Sequence, residues 1–343
     1  MAFERRRQGA AALATVCGAA LLVWAIRAAG ADAVVGGVRR LGGGFVVVFA
    51  LGGIRHLVRT VAWMLCFDRR DRPGLAEAFS AYLSGDSLGN VTPFGFLISE
   101  PAKVLLIRRS VAPPLAIPAL AIENILASAT VVLMLIAGSA ALLLLFPVPP
   151  AVRIAALATV AAAVAAGIVG IVVVTKRIPL AATLARVLVR LRIGTRWLEP
   201  RLDHVEQIES RILNFASTHQ GVVLPILGLE LSYHAAGVLE IWYALTAITG
   251  SAPSLLTAFV LEYVNRTITV AFQFVPMWLG VDEAGTGVVT ATLGMGPAVG
   301  VTLAIVRKAR VVAWTAIGIT LLLRRGMSVT STVREADAIA GKQ

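Results

Sequence analysis

Apolar residues come in long, nearly unbroken blocks, at about 10–30, 43–66, 119–146, 152–174, 221–249, 254–275 and 297–323. A helix needs about 20 consecutive apolar residues to cross a bilayer core, so each block predicts a membrane helix. No series of short alternating strands appears, which argues against a membrane β-barrel. Clear stops separate the blocks. Gly36-Gly37 and Gly42-Gly43-Gly44 join the first two, Phe67-Asp68-Arg69-Arg70-Asp71-Arg72-Pro73 makes a polar turn, and Pro147-Val148-Pro149-Pro150 ends the third block. The longest polar stretch is 175–219. Within it Leu180, Leu184, Val187, Leu188 and Leu191 share one helical face, with Arg186 and Arg190 opposite. That pattern predicts an amphipathic helix in the membrane interface. The stretch carries eight Lys/Arg against four Asp/Glu, which places it in the cytoplasm.

The fold class that follows is all-α, a polytopic transmembrane helical bundle. The whole of 1–343 reads as one integral membrane domain, with about 40–146 and 221–325 as candidate repeats and 175–219 as the linker. Composition agrees. Hydrophobic residues make up 58% and charged residues 15%, against about 45–50% and about 25% in a soluble domain. Mean hydropathy is +0.83. The net charge of +12 would suit nucleic acid, but the arginines sit where helices leave the membrane and form no single stripe. They read as positive-inside topology and contact with anionic lipid heads, with no nucleic-acid partner. A bacterial inner membrane is the expected location. Cys17 and Cys66 each lie in an apolar block and read as small buried hydrophobes. Arg5-Arg6-Arg7 ahead of the first block, with Ala31-Asp32-Ala33 after it, resembles a signal peptide. The block is longer than the usual signal core and more blocks follow, so an uncleaved first helix is expected.

One short pattern occurs twice. Pro93-Phe94-Gly95-Phe96-Leu97-Ile98-Ser99-Glu100 lies in the semi-polar stretch 76–110, and Pro276-Met277-Trp278-Leu279-Gly280-Val281-Asp282-Glu283 follows the sixth block. Both run from a proline, through apolar or small residues, to a glutamate. Matched breaks in two halves of a membrane protein point to a transport site. Each is expected to be a broken or re-entrant segment, giving seven crossings plus two re-entrant pieces, or eight or nine crossings. If the second copy re-entered from the cytoplasm, the last helix would end outside, against the charge of Arg324-Arg325. A spanning or broken helix there removes that conflict.

Ionisable residues also lie inside the blocks: Arg55, His56 and Arg59; Glu123; Glu230, His234 and Glu240; Glu262 and Arg266; Arg307, Lys308 and Arg310. A charge at mid-bilayer costs roughly 2.5–3.5 kcal/mol on insertion scales, so these groups must face one another, backbone carbonyls or water. Glu262 with Arg266, and Glu230 with His234, are spaced to share a helix face. Arg55, Arg59 and Arg310 are expected to snorkel toward the interface. The candidate substrate-binding set is Pro93, Glu100, Lys103, Arg108, Glu123, Glu230, His234, Glu262, Arg266, Pro276, Glu283 and Arg307. No catalytic, cofactor or metal residue is assigned. Proline-broken segments expose backbone groups that are tolerable only in protein or around a wet cavity, and free N–H groups attract anions. Arg108, Arg109, Arg307 and Lys308 add charge for the same ligand.

These same residues resemble the lysylphosphatidylglycerol synthetase transmembrane region, the flippase-like integral membrane family. Gly85-Asp86-Ser87-Leu88-Gly89-Asn90-Val91-Thr92-Pro93 through Glu100-Pro101-Ala102-Lys103 resembles its first signature. Phe274-Val275-Pro276 through Gly280-Val281-Asp282-Glu283 resembles its second, a Pro-Gly-Gly-x-Gly-x-x-Glu loop. The likeness covers roughly 40–325. Ser99 stands where the first signature prefers glycine, Met277 and Trp278 replace glycines in the second, and Asn124 follows Glu123 where arginine is usual. The resemblance implies translocation of a membrane lipid or lipid-linked substrate, with no aminoacyl-transferring domain after Arg325. The partners it implies are membrane lipids, anionic or lipid-linked, and a lipid-biosynthetic enzyme.

Two other readings stand beside translocation. One is a non-transporting membrane partner of a lipid-biosynthetic enzyme, which needs only surface. The other is an integral membrane lipid transferase. Such an enzyme is expected to hold Mg²⁺ on aspartate pairs, yet no DxD occurs and the DxxD at Asp68-Arg69-Arg70-Asp71 is crowded by arginines. Glu/His pairs are also able to carry protons across a membrane.

Overall fold

The computed structural model describes residues 17–92, 95–191, 195, 199–325 and 332. Among the described residues the regular structure is helical, with no strand. Helix α1 is Cys17–Ala29. The 3₁₀ turn Gly42–Gly44 joins α2 (Ala31–Leu41) to α3 (Phe45–Leu65), and α4 (Leu75–Val91), α5 (Phe96–Ile107), α6 (Pro113–Leu145) and α7 (Pro150–Thr175) follow. Two polar helices come next, α8 (Leu180–Arg190) and α9 (Leu202–Thr218). The chain continues with α10 (Gln220–Thr249), α11 (Leu255–Ala271), the 3₁₀ turn Pro276–Trp278, α12 (Val281–Thr292) and α13 (Pro297–Arg324). Prolines start α6, α7 and α13, where a missing N–H costs nothing. Gly250 ends α10 with left-handed backbone at φ 77°. Ser254 caps α11 by accepting from the Thr257 N–H at 3.0 Å.

Among the described residues, four segments are long and apolar enough to cross a membrane: Ala31–Leu65, Pro113–Leu145, Pro150–Thr175 and Gly221–Thr249. Helix α13 has the length, at 28 residues, but carries Arg307, Lys308 and Arg310. The block expected as a sixth crossing ends early. Helix α11 stops at Ala271 after 17 residues, short of the about 20 a span requires. The third block begins earlier than expected, because α6 takes Pro118 inside it.

Helix α3 runs antiparallel to α10. Arg40 Nε donates to the Ile248 carbonyl at 2.6 Å at one end, and Asp68 meets His219 at 3.1 Å at the other. Helices α4 and α5 form a hairpin. Its tip closes where Gly95 lies against the Gly89 carbonyl, with no room for a Cβ. Helix α13 runs antiparallel to α4: Asn90 donates to Thr315 at 3.1 Å, Ser84 to the Gly318 carbonyl at 2.9 Å, and Arg325 to the Leu106 and Glu77 carbonyls at 2.9 and 3.3 Å. Arg325 thus ends beside the base of the first hairpin, at the end rich in arginine.

The second hairpin, α11–α12, comes from the opposite end. Asp282, at the start of α12, meets Arg307, while Thr290 lies against Gly300. The two hairpin tips therefore approach α13 from opposite ends. They touch it at Thr315 and at Lys308, about 10 Å apart at about 1.5 Å per residue. The second hairpin opens away from the end that holds Arg324 and Arg325.

One apolar cluster, around Trp63, Tyr82, Ile107 and Leu322, fills the arginine-rich half. Another, around Leu142, Leu245, Leu261 and Leu303, fills the opposite half. Between them lies a polar layer.

Candidate functional site

The polar layer surrounds a cavity of about 410 Å³. Its walls come from α3, α4, the tip and start of α5, α10, α11, the Pro276–Trp278 turn and α13. Both copies of the repeated pattern reach it. The first contributes Gly95, Ser99 and Glu100, and the second Pro276, Met277, Trp278 and Asp282.

On the first-hairpin wall, Asp86 and Glu100 flank one lysine. Lys103 is buried and pairs with Asp86 at 2.9 Å and Glu100 at 3.0 Å, with its ammonium 3.9 Å from the Tyr82 ring centre. Asn124 donates to Glu100 at 2.8 Å. Where the resemblance anticipates arginine, a neutral amide thus meets the glutamate. His56 lies 3.7 Å from Asp86.

On the second-hairpin wall, Arg307 donates to Asp282 at 2.6 Å and to Thr286 at 2.9 Å. Lys308 pairs with Glu283 at 2.5 Å and donates to the Trp278 carbonyl at 3.4 Å. Glu283 itself accepts from the Gly280 N–H at 2.8 Å, capping the start of α12.

The third wall is a layer of guanidinium groups. Arg55 pairs with Glu240 at 3.4 Å and Glu262 at 3.1 Å, Arg310 with Glu240 at 2.5 Å, and Arg266 with Glu262 at 3.5 Å. Arg59 holds Glu123 at 2.6 Å and Glu230 at 3.5 Å. Tyr233 stands at the centre, its ring 4.3, 5.6 and 5.4 Å from the Arg55, Arg59 and Arg266 guanidinium carbons. Its hydroxyl accepts from Arg266 at 3.3 Å. Such pairing is what lets these charges exist between two apolar clusters.

Some donors in the cavity wall remain without a partner. They are Nε of Arg266, and Nε and Nη1 of Arg307, all buried. Guanidinium N–H groups suit a phosphate or carboxylate oxygen. Among the described residues, no group of His, Cys, Asp and Glu has the arrangement to hold a metal ion.

The structure distributes the sequence candidates over three positions. Glu100, Arg266, Pro276 and Arg307 line the cavity. Lys103, Glu123, Glu230 and Glu262 are buried behind it, each in contact with a lining residue. Three candidates differ from expectation. Glu283 is wholly buried and turned onto its own helix start, so it holds the second turn in place and does not face the cavity. Arg108 is exposed at the end of α5, away from the lining. His234 does not pair with Glu230. Its Nε2 meets Thr130 at 3.3 Å, while Glu230 faces Arg59. Glu262 and Arg266 do pair, as their spacing predicts. Pro93 lies outside the described residues. Arg55, Arg59 and Arg310 do not snorkel; buried carboxylates hold them at the centre. Sequence reasoning missed Tyr82 and Tyr233, single tyrosines with no pattern around them. It also passed over Asp86 and Asp282, although both sit inside the quoted signatures.

The family model described as lysylphosphatidylglycerol synthase TM region matches residues 9–318, and the chain belongs to that family. No curated protein and no solved structure matches it. Membership makes this an integral membrane protein with a lipid-related role.

Proposed function

From that membership, we propose that the protein passes the charged headgroup of a membrane lipid, anionic or lipid-linked, through the central cavity while the tails stay in the bilayer. The observation that carries this reading is the set of buried, unpartnered N–H donors of Arg266 and Arg307 in the cavity wall. A polar cavity between two apolar clusters is costly to keep. Cationic side chains in its wall that the protein leaves partly unpartnered are a reason to expect an anionic guest.

The orientation follows from charge. Arg69, Arg70, Arg72, Arg109, Lys176, Arg177 and Arg325 gather at one end, which the positive-inside rule assigns to the cytoplasm. The α4–α5 hairpin then re-enters from the cytoplasm and α11–α12 from the other side. Two hairpins of opposite entry, meeting at a midplane site, form the arrangement expected of an inverted repeat in a transporter.

The test is reconstitution in vesicles of phosphatidylcholine and phosphatidylglycerol carrying a trace of fluorescent phosphatidylglycerol, with a membrane-impermeant quencher outside. The wild-type protein should bring inner-leaflet probe to the outside. Arg266→Gln leaves Glu262 paired with Arg55, and Arg307→Lys keeps the Asp282 pair but loses the planar fork. Each should slow the movement at least about tenfold, since a hydrogen bond to a charged group contributes about 1.5–3 kcal/mol. Wild-type vesicles that move probe no faster than protein-free ones would refute the proposal.

A further inference from the structure

The guanidinium layer divides into two groups of unequal charge. On the cavity side, three guanidinium groups (Arg55, Arg266, Arg310) share two carboxylates, Glu240 and Glu262. Beside them one guanidinium, Arg59, also in the cavity wall, serves two, Glu123 and Glu230. Both of those carboxyls are almost wholly buried, at 0% and 1% exposure. Glu123 Oε2 and Glu230 Oε1 have no hydrogen-bond partner. The two carboxyls converge on one atom, Arg59 Nε, at 2.6 and 3.5 Å, so a single cation serves two buried acids.

The surroundings offer little else to balance the pair. Helix α3 presents Arg59 and Cys66, α4 presents Tyr82, which donates to Glu123 at 3.4 Å, and α5 presents the Lys103 ammonium at longer range. Helix α10 adds Tyr233, whose ring faces Arg59, and α11 adds Arg266. Among the described residues only Arg59 makes a direct ion pair with either carboxylate.

We infer that Glu123 and Glu230 form a proton-binding site whose occupancy is linked to an anion in the cavity. With the cavity empty, the surplus positive charge of Arg55, Arg266 and Arg310 supports two ionised carboxylates behind Arg59. An anion that settles on Arg266 cancels that surplus. The pair then takes one proton from cavity water, held as an O–H on one carboxyl and donated to the other. When the anion leaves, the proton returns to water. Linkage makes this reciprocal: the proton strengthens anion binding by the same factor. The anion half rests on the proposed headgroup site; the proton half stands on the carboxylate pair alone.

Two measurements on the full-length protein separate these halves. Infrared spectra of protein in phosphatidylcholine vesicles, titrated with pH, should show a buried protonated-carboxyl band that is lost in Glu230→Gln and in Glu123→Gln. If Glu123→Gln fails to fold, Glu123→Asp keeps the Arg59 pair and should move the band. Calorimetric titration in detergent with dihexanoyl-phosphatidylglycerol, in two buffers of different ionisation enthalpy, should give uptake of about one proton per lipid. Affinity should rise up to about tenfold for each unit the pH is lowered, and Glu230→Gln should abolish both effects. A band unchanged in all variants overturns the proton site. Lipid binding without proton uptake overturns the coupling. Loss of the band in the variants, with no lipid movement by the wild type, keeps the proton site and overturns the translocation reading instead.

Discussion

Met277 and Trp278 hold left-handed backbone, at φ 52° and 50°, at the positions where the family signature carries glycines. A side chain there costs roughly 1–2 kcal/mol. Trp278 recovers some of this, since its indole N–H donates to the Thr269 carbonyl at 3.1 Å. Met277 has no such bond, so Met277→Gly should raise the melting temperature of the purified protein; an unchanged or lower value would mean the turn is not strained. The two signature glutamates should also part company. Glu283→Ala leaves Lys308 without its buried partner and the α12 cap open, and should cost about 3–5 kcal/mol in denaturation experiments. Glu100 is about a third exposed in the cavity wall, so Glu100→Gln should leave stability near wild type and lower lipid movement. Equal stability loss in both would contradict this division. In sequence the two glutamates were indistinguishable, because both end the same spacing. The positive φ of Gly280 and the turn before it, which fold Glu283 back onto its own helix, leave no mark in the apolar pattern.

Elements carry the next level of information. The amphipathic helix was legible as a row of leucines opposite arginines, and Leu180, Leu184, Val187 and Leu191 do stand exposed along α8. What anchors it was not legible. Glu209 of α9 accepts from the Ala181 and Ala182 N–H groups at 2.7 and 2.9 Å, closing the start of α8 from 27 residues away. Glu209→Ala should raise amide exchange through α8 at least about tenfold, by the about 1.5–3 kcal/mol of bonds to a charged group, and leave α3 and α10 unchanged. Exchange that is unaltered in α8 would show that the membrane surface alone holds it. The close approach of α13 to α4 depends on Gly318, where a Cβ would meet the Leu83 carbonyl at 2.7 Å. Gly318→Val should separate the two helices at a cost of about 1–3 kcal/mol, read as a lower melting temperature. The reading of residues 254–275 as a full crossing failed at this scale. Hydropathy records how greasy a segment is but not where it turns back, and α11 turns back at Ala271.

At the scale of the whole molecule, the contacts of α13 assign the chain's ends. In a Cys17→Ala, Cys66→Ala background, Arg70→Cys and Arg177→Cys should react with an impermeant thiol reagent from one side of the membrane. Arg153→Cys and Ser251→Cys should react from the other, because α6 and α10 each separate these points by a full helix. Labelling of Arg70→Cys and Ser251→Cys from the same side would break the opposed-hairpin arrangement. The sequence by itself determined that the chain is a helical membrane bundle, that it carries two matched proline-led breaks and that charges must lie within it. Those properties depend on local composition and on spacing along one helix, which the order of residues specifies directly. Only the tertiary structure decided which carboxylate each arginine keeps, that both breaks face one cavity, and that Glu283 is structural while Tyr233 stands at the centre. Arg55 and Glu262 are separated by most of the chain, and their 3.1 Å contact exists only once α3, α10 and α11 have packed.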